Sequence, residues 1–400
     1  MKILWLAPYP HPLDTQAHPV PWVGALADLL KLEPGVELTI LNWTHRLATP
    51  VDKFERDGIR FIYLKTPSVR DDILTLYRRR IALVKRYLQI HCREYDLLHL
   101  YGSELQLPAM TAGLPVPQLL TVQGLVSQYP RFVPGVVSWL KVLWTLAGRY
   151  ERRYLPAIHH FSCRTHWDQA LVQKLSPGCT VHHNWEVIRP AFFRAPGPRP
   201  TGRPQVVFMG GTQVMKGFRE VLAAFDLLRQ QLDVQLVIAG AADAATVQAA
   251  VAGLCHIGPA DVVCPGVLGA PALAQLFAES VCLLHPSYVD NSPNSVCEAQ
   301  VAGLPVVASD VGGVRSLVED EVTGLLCTLA PASIAAQALR LLSDGALRQR
   351  LATHAATVAR ERHDPATIVN RTLAIYRAVL RDFHKHPAAK AKQLPSKALS

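Results

Sequence analysis

Two kinds of apolar run alternate along the chain. One is short, nearly unbroken and ends in glycine or proline. The other is longer, with apolar residues returning every three or four positions. QVVFMGG (205–211), VQLVIAG (234–240), VVCPG (262–266), CLLHPS (282–287) and LPVVASDVGG (304–313) are of the first kind. A strand that is apolar on both sides belongs inside a parallel sheet covered by helices on both faces. FREVLAAFDLLRQQL, ATVQAAVAGL, ALAQLFAES and SPNSVCEAQVAG lie between these strands with helical spacing. This rhythm predicts a doubly wound α/β sheet. The first half repeats it less cleanly, with strands expected at KILWLAP, VELTILN, IRFIYL, DLLHLYG and PQLLTVQG and helices over WVGALADLLK and 70–93. The expected fold is two Rossmann-like doubly wound domains facing each other across a cleft, with ligands at the C-terminal ends of the strands.

The break between the halves is compositional. RAPGPRPTGRPQ (194–205) is rich in Pro and Gly and reads as a linker. It separates residues 1–198 from residues 199–364; a helix over about 365–385 is expected to pack back on the first domain, and a basic tail, 386–400, to be disordered. The 400 residues carry a net charge of +10, divided as +8 over 1–198, −4 over 199–364 and +6 over 365–400. The total invites a nucleic-acid partner, but no binding motif or aromatic-interleaved basic strand accompanies it. The eight cysteines form no C-x-x-C pair and are expected to be buried free thiols. Apolar stretches are interrupted before the roughly 20 residues a spanning helix needs. MKILWLAPYP has one Lys and no small-residue cleavage site, so it reads as a first core strand and the expected location is cytoplasmic.

Candidate chemistry concentrates in LHPSYVDNSPNSVCEAQVAGLPVVASDVGG (284–313). Ser292 is a suitable N-cap and Pro293 suits the first helical position, which leaves the amides of Asn294, Ser295 and Val296 free in the first turn. A helix start at the C-terminal end of a sheet is an anion site suited to phosphate. Glu298 lies about 6 Å further along the axis, where a carboxylate can accept from the hydroxyls of a ribose joined to that phosphate. Asp290 stands just before the helix. The competing reading is an ordinary capped helix with solvated acids.

The same segment resembles the signature of the retaining glycosyltransferases of family 4, which have the GT-B fold. The resemblance lies in Pro-Ser, an acid, Pro-Asn-Ser and a second acid eight residues after the first, followed by Ala299, Gly303, Leu304-Pro305-Val306-Val307 and Gly312-Gly313. It implies that Asp290, where the family normally has Glu, sits beside the transferring sugar, and that Glu298 holds the nucleotide ribose. VVFMGG followed by KGFREVLAAF resembles the family's glycine loop, with Gly210 and Gly211 in the loop and Lys216 on the lysine that neutralises the donor diphosphate. The family's arginine after the first loop glycine is Gly211 here, and Arg219 is either a substitute or a solvated helix residue. VVCPGVLGAPALAQLFAES resembles the stretch near the base, with Gly266 and Leu268. In the first half, Gln123 replaces a family histidine that touches the donor sugar. DLLHLYG gives His99, a ligand or a satisfied core residue, and HPVPWVG (18–24) replaces the N-terminal Gly-Gly loop. CRTHWDQA and HHNWEVIRPAFF resemble a subgroup pattern that puts Arg164 and Glu186 on the acceptor or sugar side.

By this resemblance, residues 1–198 form an acceptor-side domain and residues 199–364 a nucleotide-sugar donor-binding domain. The implied reaction moves a sugar from a UDP- or GDP-sugar to an acceptor hydroxyl with retention, without a cofactor or metal, in cell-surface polysaccharide or glycolipid assembly. Asp290, Lys216 and Glu298 would be its central residues. A protein that binds sugar nucleotides without turning them over is the alternative. Segments 69–88 and 132–155 combine apolar and basic faces, so they are either a peripheral contact with the anionic inner face of the membrane or amphipathic core helices. A glycan or lipid-linked acceptor is expected, and no nucleic acid.

Overall fold

The computed structural model describes residues 1–14, 20–133, 138–195 and 202–385. They form two compact units: residues 1–187 together with the segment from Pro365, and residues 188–364.

The first unit holds strands β1 (Lys2–Leu6), β2 (Glu37–Thr44), β3 (Val51–Arg56), β4 (Ile59–Lys65), β5 (Leu97–Tyr101), β6 (Gln118–Thr121), β7 (His160–Cys163) and β8 (Thr180–His183). They form one sheet in the order β3-β4-β2-β1-β5-β6-β7-β8. All neighbours are parallel except β3, which runs antiparallel to β4 at the edge. The second unit holds β9 (Gln205–Phe208), β10 (Gln235–Ala239), β11 (Val262–Gly266), β12 (Cys282–His285), β13 (Val306–Ser309) and β14 (Leu325–Cys327). Its all-parallel order is β11-β10-β9-β12-β13-β14. Strand order reverses between β1 and β5 in the first sheet and between β9 and β12 in the second. At such switch points adjacent crossovers leave in opposite directions and open a crevice beyond the strand ends.

The apolar runs explain the cores. Val206, Phe208, Leu236, Ile238 and Leu284 point into one cluster with Phe225 and Leu228 of the helix Phe218–Arg229. The helix Pro365–Lys385 returns to the first unit: Val369, Leu373 and Tyr376 join Ile3 and Trp5 in its core, and Trp5 Nε1–H donates to Tyr376 Oη at 3.1 Å.

Several expectations change. The second unit begins at Ile188, ahead of the Pro-rich join expected at 198, because the short helix Pro190–Phe193 packs Phe192 against Phe277, ring centroids 5.6 Å apart. Residues 196–201 of that join, 18–19 of HPVPWVG and the tail 386–400 lie outside the described residues. The helix expected over 70–93 is two helices, Val69–Leu74 and Arg78–His91, parted by Leu76 and Tyr77 at positive φ. The Thr75 hydroxyl turns back to the Asp71 carbonyl, and Asp72 meets Arg80 at 2.7 Å in a buried ion pair across the break. The edge strand β3 and strands β7, β8 and β14 were not anticipated. Cys255 and Cys264 are exposed rather than buried. Among the described residues no helix is long and apolar enough to cross a membrane.

Candidate functional site

At the switch point of the second sheet, the loop after β9 carries Lys216 and the loop after β12 carries Asp290. Lys216 Nζ lies 2.6 Å from Asp290 Oδ2, and His285 Nε2, at the end of β12, lies 3.2 Å from the same oxygen. The Ser287 hydroxyl donates to Asp290 at 3.3 Å and the Asn291 amide at 3.1 Å. Burial opposes the charge on Asp290, but Lys216 and His285 outweigh it and hold the carboxyl far below its usual range. Burial pushes His285 down, and Asp290 pulls it back only in part.

Glycines let the loops close. Gly210 has no room for a side chain beside Phe208 and Lys216. Gly211 sits at φ +53, and a Cβ there would lie 2.2 Å from the Ala241 carbonyl oxygen. No arginine fits this backbone at 211, so the departure from the family pattern is built into the loop. Gly312, at φ +55, presses against the Asp290 carbonyl, and the Gly313 amide donates to it at 2.9 Å. The Gly-Gly pair after β13 therefore serves to hold Asp290.

The helix after Asp290 runs Asn294–Ala302, and its N-cap is Pro293 rather than Ser292. Pro293 keeps an extended ψ of 116°, so the helix starts one residue later and has no side-chain cap. The Val296 amide donates to the Pro293 carbonyl, which leaves Asn294 and Ser295, rather than all three, with amides lacking a backbone acceptor among the described residues. Ser292 Oγ and Asn294 Oδ1 are buried without a partner beside them. The Ser295 hydroxyl lies 3.4 Å from His285 Nδ1. Unanswered donors at a helix start, with a lysine alongside, form an anion-binding arrangement.

Glu298, 5% exposed, lies on the same helix and pairs with Arg189 at 2.7 Å. Burial raises its carboxyl to about 7 against the pull of the guanidinium. Gly266 closes β11 and Leu268 follows it; Gly266, at φ +77, accepts from the Gly240 amide at 2.9 Å and has open space beside its Cα.

The first-unit candidates divide. His99, Arg164 and Glu186 line one narrow cavity with Tyr101 and Thr121, and Gln123 is not among its lining residues. His99 is held on both nitrogens, by Tyr376 at 2.8 Å and Thr121 at 2.7 Å, and burial lowers it to about 3. It is a core histidine. Arg164 and Glu186 are both buried and spend their charge on each other at 2.6 Å. Gln123 is half-buried, its Cγ beside the turn at Gly102.

Residues 203–344 match the family model described as glycosyl transferases group 1. The match covers about a third of the chain, all of it within the second unit, which is similar to this family. A D-inositol 3-phosphate glycosyltransferase of Arthrobacter sp. (strain FB24) is 32% identical over 214 residues, covering 50% of each protein. An alpha-D-kanosaminyltransferase of Streptomyces kanamyceticus is 28% identical over 179 residues, 44% of this chain and 46% of that one. The chain thus spans about half the length of the curated relatives it matches. Sucrose-phosphate synthase from Thermosynechococcus elongatus superposes with a TM-score of 0.77 at 18% identity, covering 95% of this chain and 99% of that one. Anabaena HepE, solved with UDP and glucose, gives 0.67 at 16%, covering 94% and 100%. These likenesses establish the GT-B fold.

Three residues at the two crevices were not legible in the sequence. His285 read as the end of a core strand. Arg189 lay inside a quoted pattern, but nothing local joins it to Glu298, 109 residues away. Glu104, half-buried in the loop after β5, stood in no motif.

Proposed function

We propose that this chain transfers a sugar from a nucleoside diphosphate sugar to an acceptor hydroxyl, with retention at the anomeric carbon and without a metal ion. The observation that carries the reading is the Lys216–Asp290 pair, 2.6 Å apart at a switch point, beside a helix start whose first amides and Ser292 and Asn294 oxygens lack partners. A diphosphate would take the first-turn amides, the Ser292 hydroxyl and Lys216 as donors, so that charge developing on the leaving group meets dipoles already in place. Glu298 would accept from the ribose hydroxyls, and Asp290, released from Lys216, would face the sugar. No side chain here stands as a nucleophile with an acid partner in the two-carboxylate manner of glycosidases. Departure and attack on the same face is the reading that fits.

The acceptor is proposed to be a glycan or lipid-linked hydroxyl in cell-surface assembly, met at the cytoplasmic face of the membrane. Supporting this, the helix Trp139–Tyr154 leaves Trp139, Leu140 and Val142 exposed at one end and Arg149, Arg152 and Arg153 exposed at the other. One experiment covers the proposal: labelled UDP-, GDP-, ADP- and CMP-sugars incubated with the protein and chelator, with and without anionic vesicles. Melting shift, labelled product and flotation are then read. A ligand at 100 times its Kd stabilises by about 2.7 kcal/mol. Product with a UDP- or GDP-sugar is expected. A shift without product identifies a sugar-nucleotide-binding protein instead, and no shift with any donor refutes both. Absence of flotation removes the membrane contact alone.

A further inference from the structure

We infer that Arg189 is a positioning residue for the nucleotide ribose: it grips one oxygen of Glu298 and so presents the other to the ribose hydroxyls. The inference rests on the donor reading above. Arg189 Nε and Nη2 donate to the same atom, Glu298 Oε1, at 3.0 and 2.7 Å. This end-on grip differs from the parallel fork that would occupy both oxygens. Oε2 has no hydrogen-bond partner among the described residues, and its lone pairs can accept from two neighbouring hydroxyls.

Arg189 is itself held. Its guanidinium stacks 5.1 Å from the centre of the Phe192 ring, which is fully buried against Phe277 of the helix Ala270–Glu279. Pro190 begins the helical turn that brings Phe192 under the guanidinium. Two helices thus fix one cation against a carboxyl on a third. Burial pushes that carboxyl up toward neutrality, and Arg189 is the cation that keeps it an acceptor.

A purely structural ion pair would tie residue 189 to the helix Asn294–Ala302 and nothing more. Its loss would weaken every nucleotide alike. A positioning role predicts a selective loss, because only hydroxyl-bearing sugars use Oε2. The test is calorimetric binding of UDP, GDP and ADP, and of their 2′-deoxy counterparts, to the full chain at pH 8. Wild type is expected to prefer the ribonucleotide by about tenfold or more, the usual yield of a hydrogen bond to a charged group. Arg189→Ala is expected to cut that preference to about twofold, and Arg189→Lys to leave it intermediate. A preference unchanged in Arg189→Ala overturns the inference alone. So does a parallel loss of both nucleotides with the ratio kept. A wild type that binds no nucleotide rejects the donor reading and this inference with it. If Arg189→Ala does not fold, Arg189→Lys decides: a full wild-type preference in it overturns the assignment.

Discussion

The C-terminal edges of the two sheets hold the same raw material, buried carboxyls, and satisfy it differently. In the second unit each acid meets a cation that water still reaches: Asp290 meets Lys216, whose side chain is 35% exposed, and Glu298 meets Arg189, at 22%. In the first unit Glu151 takes the Val126 and Ser127 amides at 3.0 Å each and the Ser103 hydroxyl at 2.5 Å, all buried. Arg164, the buried cation nearby, is spent on Glu186. A buried charge left unpaired costs several kcal/mol, so each edge must answer its acids somehow. A side-chain cation can swing to a phosphate and leave its acid to a sugar. Backbone amides cannot. On the donor reading proposed above, the second edge would exchange partners with a ligand, whereas the first holds the loops after β5 and β6 together.

The largest expected effect breaks the exchangeable side. Lys216→Ala removes the cation proposed to meet the diphosphate, and loss of a single preorganised donor costs roughly 10²–10³-fold in turnover. Asp290→Asn and Glu298→Ala should each fall by about 10²-fold or more, with Asp290→Asn leaving Lys216 and His285 without their anion. Labelled-sugar transfer measures all three. An active Lys216→Ala variant would refute the leaving-group role.

The fixed side should fail as structure. Glu151→Ala strands two buried amides and one hydroxyl, at about 1–3 kcal/mol for each unanswered group. With relaxation around Ser103, a net loss of about 3 kcal/mol is expected. In a unit of this size that lowers the melting transition by roughly 6–12 °C. Nucleotide affinity should stay at the wild-type value. A variant that melts normally but binds nucleotide poorly would reverse the comparison.

How much of this was legible follows from distance along the chain. Asp290, Asn294 and Glu298 fall within one strand–loop–helix, where strand period, helix period and the glycines each report on the same backbone. Lys216 was reachable because the β9 loop carries its own glycine pattern. The start of the helix was misjudged by one residue, because Ser292 followed by Pro293 matches the usual cap and first-position pair, whereas Pro293 keeps an extended ψ and is itself the cap. Arg189 was invisible as a partner, since its position depends on Phe192 meeting Phe277 across the unit. The break at Leu76–Tyr77 was masked by a helical period that continues through it. β3 was missed because its VDKFER pattern is too polar for a core strand, as suits an edge.

The smallest effect sharpens the comparison within the first unit, at Glu104. Its carboxyl is raised to about 7, first by burial and then by Glu151, against the pull of its own amide, that of Ser103, and Arg164. No side-chain cation is bonded to it among the described residues, unlike Asp290. An acid whose folded value lies above its unfolded one binds a proton more tightly when folded, so it favours the fold most at low pH. That contribution is complete below about 4.5 and is lost as pH rises through about 7. Glutamine is the neutral mimic and should not share the loss. Between pH 5 and pH 8, wild type should therefore lose about 1 kcal/mol relative to Glu104→Gln, a figure kept small because water reaches part of the side chain. Paired melting curves at the two pH values measure it, and differencing against the variant cancels Glu298, which titrates in the same range. A gap that stays constant, or widens in favour of wild type at pH 8, would mean that a cation answers Glu104 after all, and that the first edge also has a charge to exchange.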